Sequence, residues 1–114
     1  VIRLGGFASL ALLAAAAPPQ LPPYAKALRC AGLLEASVKR LDPASAKGRV
    51  HFDAGIFWSM AAADAARAEG HSAARFEQDQ LDVGAAAGAQ LDARDPAAAA
   101  ALDACLKAVP PLKP

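Results

Sequence analysis

Residues 49–70, RVHFDAGIFWSMAAADAARAEG, decide the fold class. The stretch has no period-two alternation and few β-branched residues, so it does not read as a strand. Alanine, methionine, arginine and glutamate favour helix. From Ala54 to Ala63 the segment is apolar on nearly every side, with Ser59 the exception. A helix apolar all round ordinarily forms the buried centre of a bundle. Its surface turns polar at Asp64, Arg67 and Glu69. Gly70 then supplies the left-handed position that follows a helix end. The expectation is a helix over about Arg49 to Glu69, in the middle of an all-α protein.

The flanking sequence divides at its own punctuation. Upstream, Pro22-Pro23 opens a helix that runs to about Leu41, with an apolar stripe of Tyr24, Leu28, Ala31, Leu34, Val38 and Leu41. Asp42-Pro43 ends it, and residues 42–48 read as a loop with Gly48 as the breaker. Downstream, Ser72 is placed to cap a third helix over about Ala73 to Ala93. Gly84 and Gly88 lie on one side of that helix, where they predict close approach of a neighbour. Asp95-Pro96 opens a fourth helix that continues to about Ala108 and stops at Pro110-Pro111. Four helices with short connections predict a small antiparallel four-helix bundle, two packed helical hairpins. Its domain spans 23–109, with a C-terminal tail at 110–114. No second copy of the unit around Gly70 follows at a period of about 34 residues, which excludes a repeat array.

The first residues concern the compartment. Val1-Ile2-Arg3 carries one side-chain charge, and Leu4 to Ala17 then runs LGGFASLALLAAAA without any. A charged start, an apolar stretch and a small-residue exit form the pattern of a secretory signal peptide. Ala14-Ala15-Ala16 fits the exit, so residues 1–16 read as a signal peptide, cleaved after Ala16 or Ala17, with a proline-rich linker at 17–22. The prolines between 18 and 23 argue against a spanning helix. No stable membrane anchor is expected after cleavage, and the location is secreted or periplasmic.

Export and the cysteine count belong together. An oxidising compartment permits disulfides, and two cysteines are expected to pair. Cys30 flanks the stripe of the first helix, and Cys105 faces inward on the last. A Cys30–Cys105 bridge would tie the ends of the domain together. In a protein with so much alanine this closure matters, because the core holds few large side chains.

Charge excludes one class of partner. Residues 24–49 are basic and residues 50–114 acidic, a split that reads as complementarity between helices. The basic segment has no aromatic interleaving beyond Tyr24, so no nucleic-acid partner is expected.

The residues offer little chemistry. His51 and Asp53 lie two apart and face different ways on a helix; His51 reads as a surface or helix-start residue. Ser59 has no histidine placed to activate it, and its hydroxyl is expected to bond back to the preceding turn. His71 sits in the turn after Gly70, at the negative end of the preceding helix. Glu77, Asp79 and Asp82 form an acidic group on the third helix, read as a solvated face. No Gly-rich phosphate loop or metal-ligand spacing occurs, and no cofactor is expected. Phe57, Trp58 and Met60 are the candidate ligand-binding residues, because apolar sites often lie between bundle helices. The chain therefore reads as a non-enzymatic binding or structural module with a protein partner, or alternatively as a carrier of a small apolar ligand or metal cation.

Overall fold

A computed structural model describes residues 21–111 of the chain. The signal peptide expected at 1–16 lies outside the described residues, as do most of the linker and the last three residues of the tail. Among the described residues the fold has four helices: α1 (Tyr24–Val38), α2 (Ala46–Ala68), α3 (Ala73–Asp92) and α4 (Pro96–Lys107). Among the described residues there is no strand.

Local chemistry explains each boundary. Ser45 caps α2, its Oγ accepting from the Gly48 amide at 2.9 Å and donating to the Asp42 carbonyl at 2.7 Å. This cap starts α2 three residues before the expected Arg49. Gly48 therefore lies inside the first turn rather than breaking the chain. A Cβ there would stand 2.1 Å from the Asp42 carbonyl oxygen, so the turn closes only over glycine. Ser72 and Asp95 cap α3 and α4 through the amides of Arg75 and Ala97, as their sequence positions imply.

Two connections use the same C-terminal device. After α2, Gly70 adopts φ +78°, and the amides of Gly70 and His71 donate to the carbonyls of Arg67 and Ala66. After α3, Arg94 adopts φ +56°, and the amides of Arg94 and Asp95 donate to Leu91 and Gln90. Both are Schellman closures, one over glycine and one over a residue that carries a Cβ.

The helices pack as a bundle whose centre is α1, not the aromatic α2. Leu33 and Leu34 are successive in sequence and both fully buried, so α1 is covered on more than one side. Helices α2 and α3 both lie along α1 and barely meet each other, although one short turn joins them. The start of α1 meets that turn: Tyr24 contacts Glu69, His71 and Asp79. At the far end, Arg40 reaches Gly88 and Asp92. Thus α1 runs antiparallel to α2 and parallel to α3. Helix α4 closes over α1 beside Trp58.

Gly32 sets the α1–α3 spacing. A Cβ at Gly32 would stand 2.8 Å from Val83 Cγ1 and 3.2 Å from the Val83 carbonyl oxygen. The close approach predicted at Gly84 and Gly88 occurs instead one helix away. Gly84 has only the Glu35 carboxylate nearby, at 3.6 Å, and the Gly88 carbonyl accepts from the Arg40 guanidinium. Among the described residues, the buried apolar side chains beyond Tyr24, Leu28, Leu33, Leu34 and Trp58 are alanines and the two cysteines. Such an interior holds little apolar area per helix, which makes a covalent tie useful.

Candidate binding face

The tie is in place. Cys30 and Cys105 lie at disulfide distance, with sulfurs 2.09 Å and Cα atoms 5.5 Å apart, within the span a disulfide bridges. Trp58 stands beside it, and its indole N–H donates to the Cys105 carbonyl at 3.0 Å.

That bond fixes where the expected ligand-binding residues fall. Trp58 is inside, only 2% exposed. Phe57 is half-buried and meets it edge-on, with ring centroids 5.1 Å apart. Met60 points outward and is 63% exposed. The three do not face one space. Phe57 opens onto a groove shared with Val50, Leu106 and Val109, whereas Met60 lines a second groove with Phe52 and Ile56.

Sequence reasoning missed the open face of α2. The core side of the helix carries His51, Ala54, Trp58, Ala61, Ala62 and Ala65, all buried. The opposite side carries Phe52, Ile56 and Met60, which are 55%, 46% and 63% exposed, while Val50, 59% exposed, flanks the core side toward α4. The helix is apolar all round because it serves two surfaces, only one of which is internal. Phe52, Ile56 and Met60 follow at steps of four residues and so form one line along the axis. Beside it runs a groove of about 410 Å³ floored by Ala31 and Val38 of α1. Its rim carries the Glu35–Lys39 ion pair at 3.3 Å. The large residues at this four-residue spacing were the available signal, since alanine alone supplies most of the core side.

Polar groups sit elsewhere and are engaged. His51 is buried rather than at the surface. Its Nδ1 lies 2.7 Å from Ser37 Oγ, joining α2 to α1 in the interior. Burial, with the charge of Lys47 nearby, holds its pKa below the ordinary 6.5, so the ring is neutral. Tyr24 Oη donates to Asp79 at 2.8 Å. Burial and that carboxylate push the phenol up to about 12. The Tyr24 amide donates to Glu69, which satisfies a free donor at the start of α1 where Pro23 offers no cap. His71 packs on the Tyr24 ring and lies 3.5 Å from Glu69. Of the acidic group on α3, Asp79 is taken by Tyr24 and Arg75, and Asp82 by Gln78. Among the described residues no three metal-ligating side chains converge. Ser59 lies exposed beside the groove.

Comparison with protein-family models, curated proteins and solved structures found no match.

Proposed function

We propose that the chain is an exported, non-enzymatic helical module that binds an amphipathic helix of a protein partner along Phe52, Ile56 and Met60. One observation carries this reading. A protein that builds its core largely from alanine leaves three of its larger apolar side chains in a line on the surface. Scattered exposed apolar residues are ordinary, but a continuous line beside a groove marks an interaction surface. A groove of this form accepts a helix that presents anchors one turn apart. Methionine adds a side chain that reshapes to its partner.

Export is supported by the Cys30–Cys105 pair, which belongs to an oxidising compartment. Among the described residues no helix is long and apolar enough to cross a membrane. Mass spectrometry of the chain recovered outside the cytoplasm tests this part. The expected product begins at Ala17 or Pro18 and has no free thiol.

The binding part is tested by fluorescence anisotropy with labelled amphipathic helical peptides. Wild type binds, and Ile56→Lys loses binding by about tenfold or more, a change of roughly 1.4 kcal/mol. Peptides that bind neither form, or both equally, remove the reading.

The groove volume favours a second reading, a carrier of a small apolar ligand, because sites of about 300–1,000 Å³ suit such molecules. A thermal shift with fatty acids or sterols, abolished by Phe52→Asp, distinguishes it from the helix-binding reading.

A further inference from the structure

The outer face of α2 has an order that matters for what it binds. Reading outward from Ile56, Phe52 lies four residues before and Met60 four residues after. Beyond these, Arg49 lies seven residues before and Asp64 eight after, so opposite charges end the line at nearly equal distances. Phe52 to Met60 spans about 12 Å of helix at 1.5 Å per residue. Ile56 is the summit of a ridge, since it borders both the groove against α1 and the groove against α4. Ser59 and Ala63 are the small residues beside it.

The geometry points to a second copy of this chain as the partner, with the two α2 helices packed antiparallel about a two-fold axis at Ile56. This inference rests on the reading of the face as a helix-binding surface and names the helix. Antiparallel pairing about Ile56 sets Ile56 against its own counterpart. Phe52 of each copy then shares a layer with Met60 of the other. The same register brings Arg49 of each copy within one residue of alignment with Asp64 of the other, on the same side of the helix pair. Two ion pairs of opposite sense thus close the ends of the apolar line. A surface complementary to itself in this way generates a closed dimer and not a filament. Charge complementarity is what selects the second copy. A face with like charges at both ends would repel itself, whereas Arg49 and Asp64 attract in the antiparallel register alone. In a parallel pair Arg49 would share a level with Arg49 and Asp64 with Asp64, and neither would find an opposite charge. Both groups can be reached by a partner: Arg49 is exposed and bonds only the Ala44 carbonyl, and Asp64 is half-exposed and would share its carboxylate between Arg67 of its own chain and Arg49 of the second copy.

Sedimentation equilibrium of the disulfide-intact protein tests the proposal. Wild type is expected to form a dimer with a dissociation constant in the micromolar range. Ile56→Lys and Arg49→Glu each weaken it by about tenfold or more, roughly 1.4 kcal/mol. The double variant Arg49→Glu with Asp64→Arg recovers most of the loss. Circular dichroism shows that the exposed substitutions leave the fold intact. Cysteine cross-linking reads the register. Ile56→Cys chains join to each other on oxidation, and Phe52→Cys joins Met60→Cys better than it joins itself. A wild type that stays monomeric at the highest soluble concentration overturns the proposal. So does a dimer indifferent to Ile56→Lys, or a charge exchange that restores nothing. If the chain is monomeric and still binds amphipathic peptides through Ile56, only the second copy is wrong. If it does neither, the helix-binding reading fails as well.

Discussion

The indole N–H of Trp58 donates to the main-chain carbonyl of Cys105, 3.0 Å away and out of contact with water. The same residue that fills most of the core near α4 thereby holds the backbone at one end of the disulfide. The bridge closes a loop of 75 residues, and chain entropy assigns such a crosslink roughly 4 kcal/mol before any strain. Paired Cys30→Ala and Cys105→Ala substitutions are expected to lower the urea midpoint sharply, as a loss approaching that value. Trp58→Phe keeps much of the volume but orphans the carbonyl, at a cost of about 1–3 kcal/mol. The loss in the combined variant should be smaller than the sum of the two separate losses, because both act on the position of Cys105. Additive losses in a double-mutant cycle would show that the indole and the bridge act independently.

Glycine substitutions separate the two accounts of the α1–α3 contact. Gly32→Ala forces the added methyl onto Val83, including its carbonyl oxygen at 3.2 Å, so the helices must part. Overpacking of this kind costs about 1–3 kcal/mol. Gly84→Ala has open room, with its nearest neighbour at 3.6 Å, and gains about 1 kcal/mol of helix propensity. Thermal unfolding should therefore move in opposite directions for the two variants. A destabilised Gly84→Ala would return the close approach to α3.

Much of the fold was legible because its signals are local. Ser72, Asp95-Pro96 and Gly70 mark helix ends through bonds to residues within one turn, and the structure uses each as its type implies. The Cys30–Cys105 pairing was expected from the even cysteine count and the export pattern read in the first residues. What stayed hidden depends on distance. His51 looks like a surface residue until Ser37 of another helix meets it. The Glu69 carboxylate at the Tyr24 amide is 45 residues away in sequence. The central place of α1 was missed because Ala27, Ala31 and Ala36 are weak signals of burial, whereas Phe52 and Met60 are strong ones and lie outside. In an alanine-rich chain, side-chain size therefore points away from the core as readily as toward it.

The two Schellman closures make a matched comparison. Gly70 meets the left-handed conformation without cost, but Arg94 holds φ +56° with a Cβ, a strain of about 1–2 kcal/mol. Arg94→Gly is expected to raise stability by about 1 kcal/mol, and Gly70→Ala to lower it by a similar amount. Chemical denaturation of both variants checks this. An unchanged Arg94→Gly would mean that the added freedom of the unfolded chain cancels the relief of strain.

Stability should fall at both ends of the pH scale, for opposite reasons. His51 is neutral in the fold, with a pKa lowered first by burial and then by Lys47. Its contribution is complete above the unfolded value of 6.5. It declines as pH falls below that value, until the folded ring also protonates. Protonating the ring adds a charge in the interior beside Ser37, so the α1–α2 contact loosens first. Tyr24 behaves in the reverse sense. Burial and Asp79 raise its pKa to about 12 from 10.0, so its contribution is complete below 10.0 and is lost as pH rises toward about 12. Urea midpoints measured across both limbs should show two independent slopes. His51→Gln is expected to flatten the acid slope just below 6.5 and leave the alkaline one. Tyr24→Phe should flatten the alkaline slope alone, at the price of a lower plateau, because Asp79 loses its donor. If His51→Gln leaves the acid limb unchanged, carboxylates rather than the buried imidazole govern acid unfolding.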